Sequence, residues 1–450
     1  MACDRVIIPK EVTDLCRKEA RMIAYRKILF DLPEKNLWKQ EGHYYIKDGK
    51  ARLVLPLKDG ERCIPKILAR EPRHKQWCQF HTCKLAAREK GHREYVASDA
   101  LLLDEAVTSF TEDGYTGAYF FLTDNCLPFF RSLWRGKGVK KRSLRLDPSG
   151  SISLNITKCG IQFYSQEKQE RSSLVMFQLL SKETMKMKSL FPMLEAVAGF
   201  YSLFCSDLVG IGSMRLRLPD GKWADYWGNK ISGAGKDGKR GRMILTEEEI
   251  RDPIPLLLAQ WIKEWQRYAV PMKLLRDAVQ TENVQLRFLC LTRCLEIFHY
   301  QFFLEERASR GYFDNLQSFA LREQLGIIPA TRSAWEKAAF VHRVYDLVRH
   351  MYGIISVRSF RPLFRHLLGF DAIQTLVDSR NYYTHFGYRR KIWEPEELEE
   401  VNRELLLFIR VLLFRQAGFE NETIRLLMER WKDREELRPE QPADYLADMV

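Results

Sequence analysis

Apolar and polar residues alternate in short runs up to about residue 245, and beyond it the apolar positions recur with the period of a helix. The alternation is clear in YYIKDGKARLVLPL (44–57), which carries an Asp-Gly turn, in GAYFFL (117–122), and in SISLNITKCGIQFY (151–164), where Ile152, Leu154 and Ile156 share a face. Period-two runs bounded by turn residues predict strands. Within this half, helices are expected near 12–29 and 182–207. SMRLRLPDGKWADYW (213–227) alternates again, and NKISGAGKDGKRGR (229–242) reads as a surface loop or linker.

After that stretch, Thr246 and Glu249 have the spacing of a capping box, as do Ser333 and Glu336 ahead of AWEKAAFVHRVYDLVRHMY, with Gly353 placed to end that helix. In VQLRFLCLTRCLEIFHYQFFLEE (284–306), Leu291, Leu295, Phe298 and Phe302 fall four, three and four apart, one stripe of a helix. Pro395 sits at a first helical position, and Leu398, Val401, Leu405, Phe408 and Leu412 repeat the stripe as far as Gly418. The pattern predicts an α+β protein: a β-rich domain over 1–245 followed by an all-α bundle over 246–450.

Composition adds a partner class. The 450 residues are 46% hydrophobic, enough for more than one core, and 72 Lys and Arg against 59 Asp and Glu leave a net charge of +13. That excess fits a polyanionic partner, since neutralised phosphates release counterions, and it also fits mere solubility. Ten cysteines without regular spacing, and a start that lacks a basic-then-apolar leader, lead us to expect reduced thiols and a cytoplasmic location. No membrane association is expected. The apolar run 191–214 is interrupted by Glu195 and Asp207 and reads as a buried helix running into a strand, while LLLFIRVLLF (405–414) carries Arg410 and is too short to span.

Several motifs offer chemistry. Gly233, Gly235 and Gly238 match GxGxxG, but no strand leads into them and no helix follows at once, so a loop is the better reading. Cys63, His74, Cys78, His81, Cys83 and His92 are residue types that zinc accepts, yet their spacing fits no paired-ligand pattern, and neither metal nor cofactor is expected. The basic runs 135–146 and 236–242 suit phosphates or solvent equally.

DSRNYYTHFG (378–387) is different in kind. If residues 373–386 are helical, Asn381 and His385 share a face one turn apart with Arg380 on the flank. A guanidinium can grip two phosphate oxygens, and histidine can exchange a proton near neutral pH. With RNA the 2′-hydroxyl supplies the nucleophile and no metal is required. Equally, Arg380 could pair with an acid, Asn381 cap a helix and His385 lie hydrogen-bonded in the core.

LVDSRNYYTHFG resembles the R-N-x3-H signature of the HEPN superfamily, and the surrounding half, with LTRCLEIFHYQFF upstream, is similar to the ApeA-like HEPN proteins. The segment 189–218 resembles the β-rich domain that precedes the bundle in that family. The resemblance implies a bacterial antiviral protein of the abortive-infection type, a metal-independent endoribonuclease that leaves 2′,3′-cyclic phosphates, with transfer RNA a plausible substrate and a phage-derived trigger. It also implies a homodimer through the bundle, each copy holding half of the site. Carried over, Arg380 would stabilise the scissile phosphate, His385 would move a proton or contact phosphate, Asn381 would position them, and Glu296 would give polar support. Tyr382 and Tyr383 would stack on a base or pack the bundle, with packing expected. Two other classes stand beside this one: a catalytically silent HEPN dimerisation or sensor protein binding RNA or a phage component, and a zinc-dependent hydrolase built on residues 63–92.

Overall fold

The computed structural model describes residues 26–32, 37–47, 50–55, 63–71, 76–89, 92–103, 114–122, 129, 141–147, 149–164, 169–205, 208–228, 244–303, 312–325, 340–352, 361–369, 371–385 and 391–436. They belong to two compact units, one comprising residues up to Ser202 with 209–248, the other 203–208 with 249 onward.

The first unit is built on an antiparallel sheet. Its strands are β1 (Arg26–Leu32), β2 (Leu37–Lys47), β3 (Lys50–Leu55), β4 (Cys63–Glu71), β5 (Gln76–Glu89), β6 (His92–Leu103), β7 (Tyr115–Leu122), β8 (Lys141–Arg145), β9 (Ile152–Tyr164), β10 (Gln169–Met185), β11 (Ile211–Arg217) and β12 (Trp223–Gly228). Their order is β3-β2-β1-β4-β5-β6-β12-β11-β7-β10-β9-β8, and β3 also pairs with β6 from Arg52↔Val96 to Leu55↔Arg93. That second pairing closes β1 to β6 into a barrel. Closure satisfies edge backbone groups that an open sheet would leave exposed. The other half of β6, Asp99 to Leu103, pairs instead with β12 and carries the sheet onward.

Tyr44, Leu53, Ile67, Cys78, Phe80, Cys83 and Tyr95 are buried in one core on the barrel strands. Each such apolar side chain contributes roughly 1.5–3 kcal/mol relative to an exposed one. Cys78 and Phe80 are two apart, as alternation requires, but Cys83 lies three beyond Phe80. Thr82, between them, has a φ of 47°. Side-chain phase changes there, and both cysteines reach the interior.

One helical expectation gives way in part to a strand, and another is met by a helix that starts later. Residues 26–29 lie in β1, paired on one edge with β2 and on the other with β4. Residues 182–185 end β10, and the helix, α1, spans Met187–Ser202. In both places pairing with neighbouring strands outweighs local propensity. Residues 12–25 lie outside the described residues, as does the Asp48-Gly49 turn between β2 and β3. The β11–β12 hairpin turns on Gly221, whose φ of 86° favours glycine. Across it Arg215 faces Asp225 in register, with a buried ion pair at 2.6 Å.

The second unit is helical: α2 (Ile254–Lys263), α3 (Trp265–Gln280), α4 (Val284–Phe303), α5 (Tyr312–Arg322), α6 (Phe340–Tyr352), α7 (Ala372–His385), α8 (Pro395–Gln416) and α9 (Asn421–Glu436). The expected capping box at Thr246 does not start a helix. Glu247–Glu249 form one 3-10 turn, and α2 begins only after Pro253, with Pro255 in its first turn. Proline suits a first turn, where its missing N–H costs nothing, and it clashes inside a helix already under way. Asp252, just before, accepts hydrogen bonds from the Glu420 N–H (2.9 Å) and the Thr423 hydroxyl, at the start of α9.

α8 follows its sequence signals closely. Glu394 and Glu397 form a reciprocal capping box around Pro395, and the stripe Leu398, Val401, Leu405, Phe408, Leu412 is buried. It ends at Gly418 (φ 90°), where the Phe419 N–H reaches the Phe414 carbonyl at 3.1 Å and the Gly418 N–H reaches Arg415 at 3.1 Å. Arg410, inside LLLFIRVLLF, is fully buried and donates from Nη1 to the carbonyls of Leu203 (3.2 Å) and Cys205 (2.6 Å). No helix among the described residues is long and apolar enough to cross a membrane.

Candidate functional site

α7 has one face buried in the core and another that is half-buried or exposed. Ile373, Leu376, Val377 and Tyr383 are buried, and Tyr383 meets Phe288 edge-on with ring centroids 6.1 Å apart. Ser379 accepts a hydrogen bond from the Trp393 N–H (2.9 Å), while the Tyr383 hydroxyl donates to the Trp393 carbonyl (2.8 Å). Both ends of one residue beyond the helix are therefore tied back to it. Burial pushes the Tyr383 phenol upward, with Glu394 adding to the effect. Its role is packing, as expected for Tyr383, and Tyr382 lies half-buried against it at 5.2 Å between ring centroids.

The other face carries Arg380 and Asn381, both half-buried, and His385, which is exposed. Asn381 and His385 are four residues apart, roughly 6 Å along the axis and nearly in line. Arg380 lies further round the helix. Its Nη1 donates to Asn381 Oδ1 at 3.0 Å, which draws the guanidinium towards the Asn381 side, and its Nη2 lies 3.4 Å from Glu296 Oε2 on α4. The guanidinium carbon also stands 5.5 Å from the centroid of the Phe340 ring on α6. One cation is thus oriented by contacts from three helices.

Glu296 gathers more than Arg380. Arg343 on α6 donates to its Oε1 at 2.9 Å, and Arg293, one turn earlier on α4, donates to Oε2 at 2.5 Å. Glu296 and Arg343 form one rung between α4 and α6. His299 and Asp346 form the next, with Nε2 to Oδ2 at 2.9 Å and both side chains fully buried, and Phe303 stacks on His350 at 4.1 Å beyond it. Each rung joins residues 47 apart in sequence, so α4 and α6 run side by side in the same direction. Arg349 closes the inner rung, donating to Asp346 Oδ1 at 2.8 Å.

Sequence reasoning singled out Arg380, Asn381, His385 and Glu296; the structure brings Asn381 and Glu296 each into contact with Arg380, with His385 one turn along α7 from Asn381. It did not single out Arg293 and Arg343, which meet the same Glu296 carboxylate. The Arg293–Glu296 spacing of three was legible as a helical ion pair. Arg343 was not, because only the pairing of α4 with α6 brings it to the same carboxylate.

The other candidates gather less. Cys78 and Cys83 lie in the apolar barrel core, and no cluster of three or more His, Cys, Asp or Glu suited to a metal occurs among the described residues. His74 and the side chains of Cys63, His81 and His92 lie outside the described residues, as do Gly233, Gly235, Gly238, the basic run 236–242 and residues 135–140 of the other. Residues 141–145 of that run are β8.

Residues 289–423 match the family model for Apea-like HEPN, an interval that runs from α4 to the start of α9 and includes Arg293, Glu296, Arg343, Arg380, Asn381 and His385. No curated protein and no solved structure matches the chain.

Proposed function

Starting from an Apea-like HEPN domain at residues 289–423, we propose that the protein is a metal-independent endoribonuclease of antiviral, abortive-infection type. The observation that carries this reading is the held guanidinium of Arg380. Two of its nitrogens are engaged by Asn381 and Glu296, and an exposed histidine, His385, lies five residues further along the same helix. A preorganised cation and a titratable ring on one helix suit a reaction in which charge builds on phosphorus and protons must move.

In that reaction a base takes the proton of a 2′-hydroxyl, the oxygen attacks the adjacent phosphorus, and the bond to the 5′-oxygen breaks as that oxygen is protonated. The products are a 2′,3′-cyclic phosphate and a 5′-hydroxyl. Arg380 stabilises the phosphorane oxygens, and Asn381 holds the guanidinium in place. Each chain offers one His385, while removal and donation of protons ask for two groups. A homodimer through the helical unit, pairing two copies of the site in one cleft, supplies both.

The β-rich unit serves as sensor or restraint for a phage-derived trigger, since a nuclease acting in the cytoplasm of its own host has to be held inactive. Transfer RNA is a fitting substrate because its loop nucleotides can be splayed out for in-line attack.

The decisive experiment incubates the purified full-length protein with transfer RNA and unstructured RNA in EDTA and identifies the fragment ends. Cyclic phosphate and 5′-hydroxyl ends are expected. His385→Ala should slow cleavage by about 10²–10⁴-fold, and Arg380→Ala by a similar factor through lost charge stabilisation. Fragments bearing 3′-hydroxyls, or activity abolished by EDTA, would overturn the proposal.

A further inference from the structure

The sheet of the first unit has two unlike faces. α1 packs on the face that carries Phe177 and Tyr226, where Phe177 meets Tyr201 at 5.3 Å between ring centroids and Phe191 meets Tyr226 at 5.1 Å. One register row on that face reads Leu216, Ala118, Leu179, Leu154 and Leu144 from β11 to β8, all buried. One residue along each strand the row turns to the opposite face and reads Arg217, Gly117, Leu180, Ser153 and Arg145. We propose that this second face binds single-stranded nucleic acid, with phosphates on Arg217 and Arg145 and a base on the ring pair of Tyr119 and Trp223. The site belongs to the β-rich unit and stands whether or not the helical unit cuts RNA.

Charge favours an anion there. Arg217 is half-buried and Arg145 exposed, and among the described residues neither makes a hydrogen bond or an ion pair. A half-buried guanidinium without a partner loses hydration and gains nothing in return, and a phosphate restores the balance through a two-pronged contact. In the next row on the same face, Asp225, Arg215, Tyr119, Gln178, Asn155 and Ser143, the one carboxylate is taken. Asp225 pairs with Arg215 at 2.6 Å, and both side chains are buried. No carboxylate in these two rows is left to repel an incoming polyanion.

Ring geometry favours bases that are not paired. Trp223 lies opposite Arg217 across the β11–β12 hairpin and reaches over β11 to Tyr119 on β7. The two rings stack with centroids 4.1 Å apart and planes 27° from parallel, and both are half-buried. The Tyr119 hydroxyl accepts from Gln178 Nε2 at 2.6 Å, and Gln178 Oε1 accepts from Asn155 Nδ2 at 3.0 Å, so the ring and the amides are held in place across three neighbouring strands. Between the two arginines stand only the small Gly117 and Ser153 and the half-buried Leu180. Four strand spacings separate Arg217 from Arg145, roughly 19 Å, a length that a tract of a few nucleotides spans. Aromatic faces flanked by cations on a sheet hold single strands largely irrespective of sequence.

The test uses full-length protein carrying His385→Ala, to slow cleavage, and a short single-stranded RNA whose binding is followed by fluorescence anisotropy across a salt series. Arg217→Gln and Arg145→Gln are each expected to weaken binding several-fold and to flatten the plot of log K against log salt by about 0.7. Trp223→Ala should weaken binding about tenfold and leave the slope in place. Arg425→Gln, which removes an exposed cation on α9 (57% exposed), controls for net charge and should change neither affinity nor slope. Duplex RNA, whose bases are already stacked inside, should compete poorly.

If Arg217→Gln and Arg145→Gln both match the Arg425 control, the face takes no nucleic acid and the inference falls. It falls too if duplex RNA or polyglutamate competes as well as the single strand, since the face then takes any polyanion by charge alone. Should Trp223→Ala melt early, the two arginine variants decide, because neither of those side chains ties the fold by a hydrogen bond or an ion pair. The ribonuclease reading is judged apart from this one. Cleavage that needs Arg380 while the sheet variants bind as the parent does sinks only the nucleic-acid face, whereas weakened binding in a protein that cuts no RNA upholds the face and sinks the nuclease.

Discussion

Replacing Glu296 with Gln keeps the side chain's shape and one acceptor oxygen but removes the negative charge that Arg293, Arg343 and Arg380 share. Arg293 is more than half exposed and can swing into solvent, so its share is small. Arg343 and Arg380 cannot leave as easily, being 18% and 24% exposed, and Glu296 itself is only 16% exposed. Exposed ion pairs contribute about 0–1 kcal/mol and breaking a buried one costs roughly 3–5 kcal/mol. These half-buried contacts, together with the repulsion they had offset, place the loss at about 2–3 kcal/mol. For a unit of this size 1 kcal/mol moves Tm by about 2–4 °C, so the variant should melt some 5–10 °C lower. Calorimetry of the full chain measures it. Added salt should narrow the gap, because the penalty is electrostatic, and inorganic phosphate should stabilise the variant more than the parent. A Tm within about 2 °C of the parent at low salt, or a gap that widens as salt is added, would refute the electrostatic account of the cluster.

Arg410→Leu should destabilise the helical unit by roughly 3–5 kcal/mol, the range for losing charge-assisted hydrogen bonds to buried carbonyls, here those of Leu203 and Cys205; urea titration followed by circular dichroism checks it. For the same reason a fragment of residues 246–450, which lacks those carbonyls, should fold less stably than the helical unit of the full chain, and equal midpoints would refute this. Burial pushes the Tyr345 hydroxyl up to about 12 and raises Tyr268 and Tyr383 as well. A phenol raised in the fold favours the folded state fully below its ordinary value near 10, and that contribution is lost as pH climbs through 12. Tyrosinate absorbance of these residues should therefore appear together with loss of helical signal above pH 10, and complete ionisation with the helices intact would contradict the assignment. Tyr383→Phe should cost about 1 kcal/mol through the lost bond to the Trp393 carbonyl, and should lower Tm by only a few degrees.

Features coded along a few consecutive turns could be read from the chain alone. The change from alternation to a helical period, the stripe of α8 with its Pro395 start and Gly418 end, and the placement of Asn381 and His385 one turn apart all depend on residues within about five positions of each other. Hydrogen-bond period and capping chemistry act at that range, so sequence suffices. What the tertiary structure decided was pairing. β1 became a strand where a helix was expected because β2 and β4 flank it, the barrel closed because β3 reaches β6, and residues 203–208 joined the helical unit, where Arg410 binds the carbonyls of Leu203 and Cys205 more than two hundred residues away. Arg343 meets Glu296 for the same reason, through a register 47 residues wide. A charged side chain specifies that it needs a partner but not which one. That choice is made when apolar faces pack and bring distant parts of the chain within hydrogen-bonding reach.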